Sequence, residues 1–438
     1  MSMNIGSIPL KRIPRILLNK IVGAVAEPVK DRRSARRIEA MHHKSRSDER
    51  IKVGFLVQMP EVWDKQQSVY AAMVKDERFD PWLIIVPGYD LKTDTAERYG
   101  EEKGFFLSRC LGGNHILARQ NDEWIDLSAY GFEYIFYQRP YNLYLPPCLR
   151  SDQVARFTRV CYIPYATAED KKDRVIYPRP FLRDVYFGFM EDEDAQTNIA
   201  AQFPSSFKRF FNIGYPAFET CLSLERDCRY SRVLWTPRWS YDPVIGGSHF
   251  LEYNDPLTDY PWGEHRLTVR PHQLMWGNFI KTGLLTEAQA ADIQERWTQA
   301  GVRTDANKDI LKTFDETDIL ISDRSSVIPM FFLTGKPIIY CPIETEYSWR
   351  FSIILPGLYV AKDWDEVKAF LDSLLREQDP LREKRHTILQ DVFSYHAGAT
   401  ERIIEMLACD VMQDEKRNPI NQQKRNDAGN HSREIGGR

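Results

Sequence analysis

From Ile51 onward the chain alternates short apolar runs with polar or amphipathic stretches. Residues 51–58, IKVGFLVQ, form an apolar run of strand length. Residues 61–75 read as a helix. Trp82-Leu83-Ile84-Ile85-Val86 is a second strand, ended by Pro87-Gly88. Residues 90–102 are polar and are predicted to be helical. Tyr134-Ile135-Phe136-Tyr137 and Val160-Cys161-Tyr162-Ile163 are further strands, stopped at Pro140 and Pro164. Strands alternating with helices predict a parallel sheet covered on both faces.

Around residues 205–215 the pattern passes to a second unit. Gly214-Tyr215-Pro216 is a turn, and residues 218–227 suit a short helix. Val233-Leu234-Trp235-Thr236 is a strand that exits through Pro237. Residues 240–264 are rich in Gly, Pro, Asp and Tyr and read as a long loop. Leu267-Thr268-Val269-Arg270 is a strand stopped by Pro271, and residues 287–300 form an amphipathic helix. Residues 318–340, DILISDRSSVIPMFFLTGKPIIY, spell one complete βαβ unit. An apolar strand runs into the polar loop Ser322-Asp323-Arg324-Ser325-Ser326. A helix follows from Val327, Gly335 and Pro337 stop it, and Ile338-Ile339-Tyr340 is the next strand. Asp363 with Glu366 fits a capping box that opens a helix to about residue 376. Residues 387–393 and 399–408 are late helices.

Two successive α/β units, each opening on an apolar strand, predict facing Rossmann-like domains with parallel sheets and a cleft between them, the GT-B arrangement. The expected organisation is a basic leader over 1–50, an N-terminal domain over 51–205, a C-terminal domain over 206–411 and a disordered tail over 412–438. A chain of 438 residues is long enough for two cores.

The net charge of -3 gives no general signal for nucleic acid, and no basic-aromatic pattern asks for it. The balance hides a cluster of Lys and Arg in residues 1–50. Ile13, Ile16, Leu17, Ile21 and Ala24 recur near helical spacing there, flanked by Lys11, Arg12, Arg15 and Lys20. Three readings fit: a helix lying on an anionic membrane surface, a helix docked on the protein's own body, or a disordered leader. The basic residues after the apolar run argue against a secretory signal. No apolar run reaches the roughly 18 residues of a membrane span. The seven cysteines are scattered without a Cys-x-x-Cys pair, which predicts a reducing, cytoplasmic setting.

Candidate chemistry gathers where strands of the second half end. The segments are Thr236-Pro237-Arg238-Trp239, Arg270-Pro271-His272-Gln273, the 322–326 loop and Glu344-Thr345-Glu346-Tyr347. In a parallel sheet these ends share one edge, where open α/β sheets bind ligands. Arg238, Arg270, His272 and Arg324, with the hydroxyls of Ser322, Ser325 and Ser326, suit a diphosphate. The loop between strand and helix also reads as a Ser/Asp cap without a ligand. Glu191-Asp192-Glu193-Asp194 reads as a solvated acidic run, and Asp363-Trp364-Asp365 as a cap rather than a metal motif. No His, Cys or Asp spacing suits a metal, and no cofactor is expected. Walker, GxGxxG and GxSxG motifs do not occur.

The order TPRW, RPH, SDRSSV, GKPIIY, EY, LPG resembles the CDP-glycerol glycerophosphotransferase family, which makes teichoic acids and related capsule polymers. The resemblance covers roughly residues 233–357 well and 51–165 loosely. Arg324 stands where the family's loop usually has Tyr, and Gln273 where Pro is common. The resemblance implies a transferase that moves a glycerophosphate from a CDP-linked donor to a hydroxyl of a polymer or lipid-linked acceptor. His272 and Asp323 would be its catalytic residues, with Arg238, Arg270, Ser322, Arg324, Ser325 and Ser326 on the donor's diphosphate. It also implies work at the inner face of the cell membrane, with the first domain on the acceptor side.

The family's first half carries a Trp-His-Gly segment whose His is a proposed general base. Here the corresponding strand end reads Tyr162-Ile163-Pro164-Tyr165-Ala166. His115 is the one histidine between residues 51 and 248, and it reads as a turn residue. Ile343 replaces an acidic family position. Glu169 and Asp170 are candidate substitutes for the base and also read as an exposed helix start. A GT-B nucleotide-sugar glycosyltransferase and a non-catalytic binding relative are the alternatives.

Overall fold

The computed structural model describes residues 15–41, 50–90, 93, 95–96, 99–167, 178–203, 209–224, 228–242, 247–342 and 352–417, without the side chains of 15–26, 200, 202 and 413–417. The apolar runs become two all-parallel sheets. The first has seven strands: β1 (Ile51–Val57), β2 (Phe79–Ile85), β3 (Asn114–Leu117), β4 (Tyr134–Tyr137), β5 (Arg159–Tyr162), β6 (Val185–Met190) and β7 (Phe210–Asn212). Their spatial order is β7-β6-β5-β4-β1-β2-β3. The second has six: β8 (Arg232–Thr236), β9 (Arg266–Val269), β10 (Arg303–Thr304), β11 (Ile319–Ser322), β12 (Ile338–Tyr340) and β13 (Tyr359–Val360), ordered β10-β9-β8-β11-β12-β13.

Strand periodicity divides the core. On β1, Val53, Phe55 and Val57 face a central apolar cluster while Leu56 faces an outer one. On β8 and β11, Leu234 and Leu320 join the same central cluster, whereas Val233, Trp235, Ile319 and Ile321 turn to a third. Both sheets are therefore buried on both faces, as parallel sheets require. Each large apolar side chain so buried stabilises the fold by about 1.5–3 kcal/mol. The central cluster is shared by the two sheets, so the domains are joined by core as well as by chain. The helix Ala399–Arg417 crosses back onto the first sheet. There Asp410 accepts hydrogen bonds from Tyr134 Oη at 2.7 Å and Tyr186 Oη at 2.9 Å.

Three expectations need correction. Residues 90–102 are not one helix: Tyr89–Asp90 pairs antiparallel with Thr95–Ala96, and a helix starts only at Glu101. The stretch has no apolar stripe that a helix could bury. The 240–264 stretch is not a loop throughout, because Phe250–Thr258 is helical. Phe250, Tyr253 and Leu257 bury one face of it despite Pro256 inside. His115 lies in the edge strand β3, opposite Leu83, and not in a turn.

Candidate functional site

The crossings of the second sheet bring the expected strand ends to one level. Thr236 on β8 stands in register with Ser322 on β11, and Ser322 with Tyr340 on β12. Ser322 itself faces inward and is fully buried. Its Oγ accepts from Thr236 Oγ1 at 2.7 Å and donates to the Asp323 carbonyl at 2.7 Å. It ties two strands together beneath the site, so its expected place on a diphosphate is corrected: the hydroxyl is already used.

Asp323 is also buried, 2% exposed, and its carboxylate is a hub. It accepts from Arg238 N at 2.9 Å, His249 Nδ1 at 2.8 Å, Ser248 Oγ at 3.3 Å and His249 N at 3.4 Å. One carboxylate thus fixes the exits of β8 and β11 and the start of the Phe250–Thr258 helix. His249 is the residue that sequence reasoning missed. It is buried and stacks on Tyr253 with ring centroids 4.8 Å apart. A carboxylate only accepts, so Nδ1 carries a proton. The usable signal was the apolar stripe Phe250, Tyr253, Leu257 beginning one residue after His249.

Above this hub, Arg238 and Arg324 are half-buried. The Arg238 guanidinium donates to the Arg324 carbonyl, which draws the two loops together. Ser325 is half-buried and Ser326 exposed. The helix that follows, Val327–Phe332, has six residues and a weak dipole, and Ser325 Oγ takes the Val327 N–H at 3.2 Å. Gly335, at φ +74°, ends the segment as the sequence indicated.

Arg270 is already engaged within the protein. It pairs with Asp305 at 2.5 Å and reaches Thr313 Oγ1 at 3.4 Å. Burial alone would raise the Asp305 carboxyl. Hydrogen bonds from Asn307, Thr313 and Arg270 overcome that and hold it below its ordinary range. Arg270 therefore positions the β9 exit and lends its charge at one remove. His272, two residues on, is exposed. Its Nδ1 accepts from Leu274 N at 3.1 Å, and its ring lies 6.0 Å from that of Trp239. The neutral ring thus carries its proton on Nε2. Partial desolvation, then the charges of Arg238 and Arg270, hold the imidazole below its ordinary pKa.

The remaining candidates separate. Glu169, Asp170, Ile343 and residues 344–347 lie outside the described residues. Asp192 caps the helix Glu193–Gln202 by accepting from Ala195 N at 2.8 Å, and Glu191 is buried rather than solvated. Asp363 caps the helix Trp364–Leu374 through Glu366 N at 3.0 Å, as read from the sequence. Among the described residues no group of three or more His, Cys, Asp or Glu is arranged to hold a metal ion. At the matching edge of the first sheet, a cavity of about 390 Å³ opens beside Gln58, Arg139 and Tyr144.

Neither a protein-family model nor a curated protein matches this chain. Solved structures do. The wall teichoic acid polymerase TagF is 13% identical, with 91% of this chain and 98% of that chain covered and a TM-score of 0.53. A variant of that polymerase with CDPG is 11% identical, with 90% and 97% covered and a TM-score of 0.52. UDP-GlcNAc 2-epimerase from Neisseria meningitidis, bound to UDP-GlcNAc, is 11% identical, with 82% and 99% covered and a TM-score of 0.52. At such identities the likeness shows the fold. The chain is a GT-B-like α/β protein of two facing Rossmann-like domains with parallel sheets.

Proposed function

We propose that this protein is a CDP-glycerol glycerophosphotransferase-like enzyme. It moves a glycerophosphate or related polyol-phosphate unit from a CDP-linked donor to a hydroxyl of a cell-surface polymer or its lipid-linked precursor. The observation that carries this reading is the edge of the second sheet, where one buried carboxylate, Asp323, locks the loops that carry Arg238, Arg324 and His272. The motif order of residues 233–357 and the fold shared with TagF support it.

In the reaction the acceptor oxygen attacks the β-phosphorus. A new P–O bond forms, the bond to the bridging oxygen breaks, and CMP leaves with the electron pair. The acceptor's proton passes to a base on the first domain's side. The main requirement is charge stabilisation on the phosphate oxygens by donors already in place. His272 offers its Nε2–H, and Arg238 and Arg324 offer positive charge. Ser325 and Ser326 sit where a phosphate oxygen would meet the loop. Asp323 and Ser322 act through the backbone they hold, and Arg270 through the loop that carries His272. Asp323, expected as catalytic, becomes a positioning residue in this reading.

A nucleotide-sugar transferase is the second reading. It is favoured by Tyr162–Ala166, which lacks a histidine, and by His115, which sits in an edge strand away from the strand exits. Thermal melts with CDP-glycerol and a panel of CDP- and UDP-linked donors separate the two. A donor at 100-fold its dissociation constant should stabilise the protein by about 2.7 kcal/mol. CDP-glycerol is expected to give the largest shift, and CMP to be released on adding an acceptor. Stabilisation by a UDP-sugar with UDP release would overturn the proposal. Binding without turnover on any acceptor would point to a binding relative.

We place the protein in the cytoplasm, on the inner membrane face. Among the described residues no helix is long and apolar enough to cross a membrane. The helix Arg15–Met41 docks its later half on the first domain. Glu27 and Asp31 pair with Arg183, Asp31 with Arg179, and Arg37 with Asp184, while Ile38 is buried. Arg32, Arg33 and Arg36 stay exposed on the outer side. Near an anionic surface, three such residues contribute roughly 3 kcal/mol together. The full chain should float with anionic vesicles at low salt and be released by high salt. Arg32→Glu, Arg33→Glu and Arg36→Glu combined should abolish flotation. Equal flotation of that variant would remove this helix as the anchor.

A further inference from the structure

At the edge of the second sheet, Ser322, Asp323 and Arg270 spend their polar groups inside the protein. His249 does so with one ring nitrogen only. The residue is 7% exposed. Its Nδ1 donates to Asp323 Oδ1 at 2.8 Å, and its face stacks on Tyr253 with the ring planes 4° apart. Tyr253 is 1% exposed and packs in turn against Trp364, with ring centroids 5.9 Å apart. One edge and one face of the imidazole are thus fixed, which sets the ring's orientation.

Nε2 lies across the ring from the carboxylate. No group among the described residues hydrogen-bonds to it. A polar nitrogen left unmet on so buried a ring is a cost that a ligand would offset.

The position of this nitrogen decides what can meet it. The carboxylate that holds His249 also accepts from Arg238 N at 2.9 Å. The residues that follow Asp323 in its loop are Arg324, Ser325 and Ser326. His249 therefore adjoins the loops to which the proposed function assigns the donor's diphosphate. The part of a nucleoside diphosphate joined directly to its phosphates is the ribose. A phosphate oxygen gains little at Nε2, because the Asp323 carboxylate offsets any positive charge the ring carries. A hydroxyl suits the place. It both donates and accepts, so it satisfies Nε2 whether the ring is neutral or charged.

We infer that His249 is a donor-specificity residue whose Nε2 hydrogen-bonds a ribose hydroxyl of the nucleotide. The inference rests on the proposed function and adds that the site selects a ribonucleotide by its sugar. The histidine then has two tasks: Nδ1 holds the loops together, and Nε2 reads the ligand.

The test is calorimetric titration of the full chain with CMP and with 2′,3′-dideoxy-CMP, which lacks both ribose hydroxyls. Wild type should bind CMP at least about 5-fold more tightly, the scale of one hydrogen bond lost with its partner left unmet. His249→Asn separates the two nitrogens. Its amide N–H can still donate to Asp323, but nothing replaces Nε2. Melting should change little, CMP should weaken to the level of the dideoxy nucleotide, and binding of the latter should stay as it was. His249→Gln reaches toward the Nε2 position and gives up the bond to Asp323. It should melt lower and keep part of the preference, so the pair stays decisive if the asparagine variant folds poorly. An asparagine variant with the wild-type preference would overturn the inference. So would equal weakening of both nucleotides, the mark of a purely structural histidine, and so would a wild type that binds the two alike. UMP and 2′,3′-dideoxy-UMP are titrated alongside. Tighter binding of UMP than of CMP would overturn the proposed donor, while the ratio within either pair still decides the role of His249.

Discussion

Asp323→Ala is expected to lower stability by about 3 kcal/mol, because each buried donor left without its acceptor costs roughly 1–3 kcal/mol. The carboxylate is 2% exposed and serves donors from Arg238, Ser248 and His249. Its two shortest bonds, 2.9 Å to Arg238 N and 2.8 Å to His249 Nδ1, carry most of the effect. Melting should fall by about 5 °C, less per kcal/mol than for a smaller domain because the two domains share a core. Donor binding should fall with it, because the loops bearing Arg238 and His272 lose their common anchor. Asp323→Asn should be milder. It keeps one acceptor oxygen but presents an amide N–H₂ to at least one donor that expects an oxygen. Calorimetry and donor titration on both variants give the answer. An alanine variant that melts like wild type yet has lost turnover would mean that the carboxylate meets substrate, and the hub assignment would be wrong.

The sheets were legible because their strands are short apolar runs cut off by proline or polar residues. Tyr134–Tyr137 and Ile338–Tyr340 have the bounds that the pattern indicated. Val185–Met190 was missed, although it is buried along its whole length. Gly188 interrupts it, and a glycine within a short run reads as a loop. The structure explains the glycine: a Cβ there would fall 2.1 Å from the Phe210 ring of the neighbouring strand. Asn114–Leu117 was hidden because only Ile116 of its residues is buried, as an edge strand permits.

The site was legible as a set of residues but not as a division of labour. A histidine after Arg-Pro at a strand exit, and a hydroxyl-rich loop before a helix, can be read from local chemistry. Which of them face a ligand depends on partners far away in sequence. Asp323 spends its oxygens on a histidine 74 residues earlier, in a segment whose Gly and Pro content masked a helix. Ser322 spends its hydroxyl on Thr236, on the next strand of the sheet. Arg270 pairs with Asp305, which follows a strand, Arg303–Thr304, too short to announce itself. The polar residues of this edge therefore form two layers. The lower layer bonds to itself and holds the upper layer in place.

His272 belongs to the upper layer, and replacing it separates chemistry from folding. His272→Ala should reduce CMP release at least about 10-fold, the scale of one lost charge-stabilising contact. Melting should barely move, because the side chain is exposed and its one hydrogen bond, from Leu274 N at 3.1 Å, is local. The pH dependence supplies an independent readout. Desolvation and the charges of Arg238 and Arg270 hold the imidazole below its ordinary value, so the free protein carries it neutral near pH 7. A bound diphosphate adds negative charge and raises that pKa. Between the higher value in the complex and the lower value in the free protein, binding takes up a proton. Donor affinity should then rise as pH falls through that window, by up to about tenfold per pH unit. It should level off below the free protein's pKa. The alanine variant should show no such rise, because the donor's diphosphate diester does not titrate there. Parallel flat profiles, or a variant that loses stability while keeping its turnover, would place His272 in the lower layer with Asp323 and leave Arg238 and Arg324 as the groups that face the donor.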